Sequence, residues 1–405
     1  MKVFVIPSWF PSNSNPIFGI FVKEQIEMMA RADENLSFGI SLWGQGEESH
    51  LIYSKRPISS INKLRKGLPK SSISHFERIS KYYTPAHSWS TKWRKGNLRG
   101  ISKVNHQNFR HYVHDHGLPD IIHAQASYPA AWLALELSEK YNIPYMVTLR
   151  MGPFPFKQYL NEQGGLTKGL ENVLRKAQRL IATSDSLNSR AREFGLPNVQ
   201  TINNPVDIAS FCPNMSSTSR NTKKLLSVGR LEHQKGFDLL IEAVASLKGK
   251  VTFELEIVGE GSERNHLHRK VDELNLNNTI TLTGRANRET VIEKMQNCDL
   301  YVLPSRNETF GNVLIEAMAC GKPVVATRCG GPEGIVTSST GLLCAPSDPE
   351  SLAKSIEQAL AIDWDPKKIR KHVEDNYSPE LFTRRMKEVY KKVIDEHSQI
   401  ANEDK

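Results

Sequence analysis

Short runs rich in Val, Ile and Leu alternate with amphipathic segments along most of this chain, and the alternation restarts once. The runs at 2–6, 37–43, 120–123, 145–149, 179–183 and 199–202 have the length and composition of strands. Between them, apolar residues recur at helical spacing over 18–31, 97–116, 128–141, 165–177 and 185–194. Alternation of this kind predicts a parallel sheet covered by helices on both faces. The stretch 44–96 is weakly periodic, carries no assigned strand or helix and is expected to contain mobile loops. A segment rich in Asn, Pro and Ser, INNPVDIASFCPNMSSTSRNTKK at 202–224, then breaks the pattern and reads as a linker. Beyond it come new strands at 224–229, 253–259, 279–284, 299–305 and 323–327, with a helix from 237. Two doubly wound α/β domains are therefore expected, at 1–205 and 206–375, and 405 residues suffice for two ordinary cores. From 379 to 397, Leu381, Phe382, Met386, Val389, Tyr390 and Val393 keep helical spacing. This last segment, 376–405, could pack on either domain.

Ligands of open α/β sheets bind beyond the carboxyl ends of the strands, so two such domains facing across a cleft suggest a two-substrate enzyme rather than a structural protein. No apolar run is long enough to span a bilayer, and the opening MKVFVIPSWF is too short and strand-like for a signal peptide. The five cysteines show no metal-binding spacing, which points to a reducing cytoplasm and a metal-independent protein. Charge is uneven. Residues 1–205 hold 26 Lys and Arg against 15 Asp and Glu, and 51–120 alone hold 14 against 3. That stretch also carries Tyr82, Tyr83, Trp89, Trp93, Phe109 and Tyr112. Basic residues interleaved with aromatics suit an anionic membrane surface or nucleic acid. No nucleic-acid motif accompanies them, so peripheral contact with the inner face of the cell membrane is the expectation, beside the plainer reading of a solvated basic surface.

Three stretches carry chemistry. LLSVGRLEHQKGFDLLIEA (225–243) puts Arg230 just past a strand and Lys235 just before a helix, with Gly229 and Gly236 allowing tight turns beside them. Two cations at a strand-to-helix turn, near a helix N-terminus, make a diphosphate site; the Walker spacing is absent. IVGEGSER (257–264) lacks the full dinucleotide fingerprint and reads as a simple turn. SRNETFGNVLIEAMACGKPVVA (305–326) places Glu308 on a loop and Glu316 inside an otherwise apolar helix that starts near Asn312 and stops at Gly321. A buried carboxylate is costly unless something binds it, so a hydroxyl-rich ligand is expected: Glu308 accepting from a sugar and Glu316 from a ribose diol.

The set Gly229-Arg230, Lys235-Gly236 and Glu308 with Glu316 eight positions on resembles glycosyltransferase family 4. The resemblance covers nearly the whole chain, including PSNSNPIFGIFVKEQ with Gly19, IIHAQ at 121–125 and NNPVD. It implies the GT-B fold, with the terminal helix crossing back onto the first domain, and retaining sugar transfer from a nucleotide-diphosphate sugar without a cofactor. A UDP-sugar donor and a saccharide acceptor, lipid-linked and belonging to exopolysaccharide, capsule or O-antigen assembly, are the expected substrates. A nucleotide-sugar epimerase and a non-catalytic sugar-nucleotide binder are the alternatives. Carried over position by position, Arg230 and Lys235 would hold the diphosphate, and Glu308 the donor sugar with the amides of Phe310, Gly311 and Asn312. Glu316 would take the ribose, Arg285 the base, Gly19 would approach the phosphates, and His123 would keep its setting in HAQ. The chain departs from the family at Arg150, where a His is usual, and at Thr309, where the family pattern has Gly. An Arg cannot act as a base, but its planar fork suits an anion, on either the donor diphosphate or the acceptor; pairing with a local acid such as Glu162 is the alternative.

Overall fold

Consecutive residues on each strand face opposite sides of the sheet, and this chain fills both faces with apolar side chains. In the computed structural model, which describes residues 1–52, 57–89, 94–150, 152–214 and 222–403, two compact units result. One comprises Met1–Thr183, Asn188–Ile202 and Phe382–Lys405, the other Ser184–Leu187 and Asn203–Leu381.

The first unit is built on an eight-stranded sheet. Its order is Val199–Thr201, Arg179–Ala182, Tyr145–Leu149, Ile121–Gln125, Lys2–Pro7, Ser37–Leu42, Ile79–Tyr83 and Ser72–Phe76. All neighbours are parallel except the last pair. One face buries Val3, Val5, Phe38, Ile121, Met146 and Ile181 against Val22, Ile26 and Met29 of helix Ile20–Ala32. The terminal helix Pro379–Glu403 adds Phe382, Met386, Val389, Tyr390 and Val393 to the same core. Its apolar stripe thus packs within the first unit, and Arg179 anchors it through Glu396 at 3.0 Å. On the opposite face Phe4 meets Phe109 and Tyr112, both at 5.1 Å between ring centroids.

Two findings differ from the sequence reading here. The segment with no predicted strand or helix contributes the strands Ile79–Tyr83 and Ser72–Phe76 and the helix Pro57–Lys66. All five residues of Ser72–Phe76 are exposed, so no alternation marks that strand. Of the aromatics expected on a basic surface, Tyr82, Phe109 and Tyr112 are buried core. The large apolar side chains that stand exposed among the described residues of 51–120 are Ile58, Ile61, Leu64, Ile73, Phe76 and Leu118. Trp93 lies outside the described residues.

The second unit holds a six-stranded parallel sheet ordered Ile280–Gly284, Phe253–Val258, Lys223–Val228, Leu300–Leu303, Val324–Thr327 and Gly341–Cys344. Leu225, Leu255, Ile257, Val302 and Val325 pack on helices Phe237–Leu247, Arg264–Glu273 and Pro349–Ala361. Their neighbours Leu226, Tyr301, Leu303, Val324 and Ala326 pack on Asn312–Ala319 and Pro366–Tyr377. Both faces being covered is why Leu300–Leu303 and Val324–Thr327 read as continuous apolar runs, whereas Phe253–Val258 and Ile280–Gly284 expose Glu254, Thr281 and Thr283. Part of the expected linker belongs to this core: Val206 and Phe211 are buried, and the Val206 amide donates to Tyr377 O at 3.0 Å. Residues 215–221 of the linker lie outside the described residues.

Candidate functional site

The residues picked out in the second half fall past the carboxyl ends of the second sheet's strands. Gly229 and Arg230 follow Lys223–Val228, Arg285 follows Ile280–Gly284, and Glu308 follows Leu300–Leu303. Lys235 ends a short 3-10 turn, His233–Lys235, directly before helix Phe237–Leu247. Gly236 joins turn to helix at φ +66°, and a Cβ there would sit 2.1 Å from Pro304 O. Only glycine fits, and the turn is pressed onto the loop that carries Glu308. Lys235 Nζ accordingly donates to Glu308 Oε2 at 2.5 Å, with the two side chains 19% and 13% exposed. A Lys and a Glu from separate segments meet in a niche that is neither open to bulk water nor sealed from it.

The helix Asn312–Ala319 starts from Gly311, whose φ is +102°. Asn312 Oδ1 accepts from Asn204 Nδ2 at 2.8 Å, and Phe310 is buried against Tyr377, 5.9 Å between centroids. Backbone bonds tie Glu308 to the next strand's loop: Glu308 N donates to Cys329 O, and Gly331 N to Glu308 O at 2.8 Å. Glu316, one turn into the helix, is half-buried with Arg288 Nη1 3.9 Å from Oε1. Burial lifts its carboxyl above the usual carboxylate range, and Arg288 pulls the other way. Carboxylates in such a setting favour hydrogen-bond donors.

Sequence reasoning missed the clamp that holds this arrangement. Arg306 forks onto Asp238, Nη1 to Oδ1 at 2.7 Å and Nη2 to Oδ2 at 2.6 Å, and its Nη1 also reaches His233 O at 2.8 Å. Burial alone would raise Asp238, but the guanidinium holds its carboxyl below the usual range. A bidentate pair of this kind fixes orientation as well as distance, so it locks the Lys235 turn to the Glu308 loop. The signal was present in SRNETFG and GFDLL: a basic residue two before Glu308 and an acid in a helix first turn. Arg230 and Arg285 are exposed; Arg230 Nη1 contacts Glu232 Oε1 at 2.6 Å and is not joined to Lys235. A Cβ at Gly229 would lie 3.4 Å from Phe237 Cζ, an ordinary contact.

The first-unit candidates form a separate group. Gly19 caps helix Ile20–Ala32 at φ +71°, and a Cβ there would lie 2.4 Å from Trp9 C. The close approach that demands glycine is thus to the Trp9 backbone. His123 is 2% exposed, with Nδ1 2.8 Å from Tyr390 Oη and Nε2 2.7 Å from Thr148 Oγ1. Burial, with Arg150 nearby, pushes its pKa down to about 3, so the ring is neutral at pH 7. Arg150 follows strand Tyr145–Leu149; its Nε donates to Gln125 Oε1 at 2.7 Å and its Nη2 to Gln25 Oε1, while the guanidinium lies 5.1 Å from the Phe21 ring centre.

Solved structures define the fold class first. Sucrose-phosphate synthase from Thermosynechococcus elongatus matches at a TM-score of 0.74 and 21% identity, over 97% of this chain and 99% of that one. Anabaena Alr3699/HepE in complex with UDP matches at 0.69 and 21%, over 97% and 100%. Both sheets and the returning terminal helix therefore make a GT-B architecture. The sequence then gives the family. Residues 68–210 match the model for Glycosyltransferase Family 4 and residues 214–378 that for Glycosyl transferases group 1. A Bacillus subtilis (strain 168) protein, TuaC, named as a glycosyltransferase of teichuronic acid biosynthesis, is 25% identical over 370 residues, 88% of each chain. The chain belongs to glycosyltransferase family 4, a family of retaining hexosyltransferases.

Proposed function

We propose that this protein transfers a hexose from a UDP-sugar to a lipid-linked saccharide in the assembly of a cell-surface polysaccharide, with retention of anomeric configuration. The observation that carries this reading is the Lys235–Glu308 pair at 2.5 Å, set beside the helix N-terminus at Gly311 and Asn312. Lys235, with Arg230, binds the donor diphosphate; Glu308 exchanges its lysine contact for hexose hydroxyls. The Phe310, Gly311 and Asn312 amides face phosphate or sugar oxygens, Glu316 accepts from the ribose diol and Arg285 meets the base. As the bond between C1 and the phosphate oxygen breaks, the cations and helix N-terminus stabilise the developing negative charge, the largest single contribution in many such reactions. The acceptor oxygen bonds to C1 on the same face, and its proton passes to the departing phosphate oxygen. UDP is favoured because HepE, a structural relative, was solved with that nucleotide. TuaC, by its name, supports a cell-surface acceptor.

Membrane contact belongs to the same reading. No helix among the described residues is long and apolar enough to cross a bilayer. Helix Pro57–Lys66 exposes Ile58, Ile61 and Leu64, and the strand Ser72–Phe76 exposes Ile73 and Phe76. Ile58 is 77% and Phe76 68% exposed, with Arg65, Lys66 and Lys70 exposed nearby in sequence. Apolar side chains among cations suit the interface of an anionic leaflet.

A thermal-shift comparison of UDP-glucose, GDP-mannose and ADP-glucose tests the donor assignment, since a ligand bound by the native state raises its melting temperature. The largest rise is expected with UDP-glucose. A rise with the GDP- or ADP-sugar alone would overturn UDP, and no rise with any would overturn the donor site. Release of free altered sugar without acceptor would instead favour an epimerase.

A further inference from the structure

The carboxyl ends of the first unit's central strands hold polar groups that the donor chemistry does not use. Gln25 and Gln125, 4% and 5% exposed, both turn their side-chain oxygens to Arg150. Amide oxygens orient a guanidinium without cancelling its charge. Phe21, beneath the guanidinium, is in the first turn of helix Ile20–Ala32, which has no side-chain cap and no acid in that turn. The helix N-terminus therefore adds positive potential at the same place. Burial pushes Arg150 down to about 9, which leaves it charged at pH 7.

A second observation lies on the adjacent strand. Gln125 pairs with Thr148, so Ser127 and Arg150 hold equivalent positions two residues beyond the paired strand ends. The Ser127 hydroxyl is fully buried and finds no hydrogen-bond partner among the described residues. Ala126, between Gln125 and Ser127, is held at φ +78° and ψ 160°, a region that costs a non-glycine residue energy and persists where the surroundings impose it. Only one other buried hydroxyl among the described residues is equally unpartnered, Ser305 Oγ, three residues before Glu308 in the donor set. Leaving a buried hydroxyl unbonded costs stability, and both such hydroxyls lie at the strand ends where α/β sheets take ligands.

We propose that Arg150 and Ser127 form an anion subsite in the first unit that binds a carboxylate or phosphate on the acceptor. This rests on the glycosyltransferase reading and adds the acceptor's chemical class to it: an acidic saccharide rather than a neutral one. Arg150 supplies the fork, Gln25 and Gln125 fix its plane, and the Ser127 hydroxyl donates to the anion.

The test uses the full-length protein and four probes: methyl glucuronide for the carboxylate, methyl glucoside 6-phosphate for the phosphate, methyl glucoside as the neutral control and UDP for the donor site. The wild type should bind one or both anionic sugars more tightly than the glucoside. Arg150→Gln should weaken that binding roughly tenfold or more while still binding UDP, and Arg150→Lys should fall between. Lys235→Ala should do the reverse. Ser127→Ala should bind the anionic sugar several-fold more weakly, with an unchanged or higher melting temperature, because an unbonded hydroxyl has been removed. Equal binding of neutral and anionic sugars, anionic binding intact in Arg150→Gln, or its loss in Lys235→Ala would overturn the subsite. A lower melting temperature with unchanged affinity in Ser127→Ala would make Ser127 a packing residue and overturn its role. Absence of UDP binding in the wild type would refute the donor reading alone, so the two fail separately.

Discussion

His123 in the first unit and Lys235 in the second both lie near strand ends and both bond to side chains from distant parts of the sequence, but in opposite ways. His123 is enclosed, uncharged at pH 7 and bonded at both nitrogens, to Thr148 and to Tyr390 of the terminal helix. Lys235 and Glu308 form an ion pair with each other and keep some exposure. A closed neutral network can only be broken. A charged pair at the edge of water can trade partners, because incoming phosphates and hydroxyls replace the contact that each gives up. The first arrangement holds a helix to a sheet; the second is suited to receive a ligand. The environment, rather than the residue type, separates the two roles.

Lys235→Ala should have the largest effect, lowering turnover on the order of 100-fold or more, since it removes charge that stabilises the leaving diphosphate. Steady-state kinetics within a few-fold of wild type would dissolve the contrast. Tyr390→Phe leaves a buried ring nitrogen of His123 without its partner and should cost about 1–3 kcal/mol in denaturant unfolding, with UDP affinity intact. A silent Tyr390→Phe would mean that this network does not hold the terminal helix. Glu316→Gln should chiefly weaken donor affinity, by roughly tenfold, whereas Glu308→Gln should chiefly lower turnover. Equal shifts of both parameters in both variants would collapse that division.

The pH dependence sharpens the same contrast. His123 has its folded pKa pushed down to about 3, below its ordinary 6.5. The unfolded chain therefore binds the proton first as pH falls. The stability held at neutral pH should decline from about pH 6.5 downward, by at most about 1.4 kcal/mol per pH unit from this group. Above pH 7 the group contributes no slope. Replacing His123 by Gln should flatten the acid limb of a melting-temperature profile between about pH 6 and 4; an unchanged limb would show that the ring is not shielded as described.

Much of this could be read in the residues, for identifiable reasons. The central strands of the second domain are buried on both faces, so LLSV and LYVL stand out as apolar runs, while FELEIV, with Glu254 exposed, shows partial alternation. Glu316 was conspicuous because a carboxylate interrupts the apolar helix VLIEAMA. Strand Ser72–Phe76 was illegible because it buries nothing, and Tyr82 and Tyr112 were misassigned because basic neighbours masked core aromatics. The Arg306–Asp238 clamp and the Arg150–Gln25 contact join residues 68 and 125 positions apart. Nothing local in a sequence marks pairings of that range; they arise only when the strands set their register.

On the proposed reading, the charged set of the second unit, and not the enclosed network of the first, binds the donor nucleotide. Titration of UDP by calorimetry into wild type, Lys235→Ala and Tyr390→Phe tests it most directly. The account predicts at least a tenfold loss of UDP affinity in Lys235→Ala, as expected for removal of a charged hydrogen bond to phosphate, and wild-type affinity in Tyr390→Phe. Wild-type affinity in Lys235→Ala, or an equal loss in both variants, would contradict it.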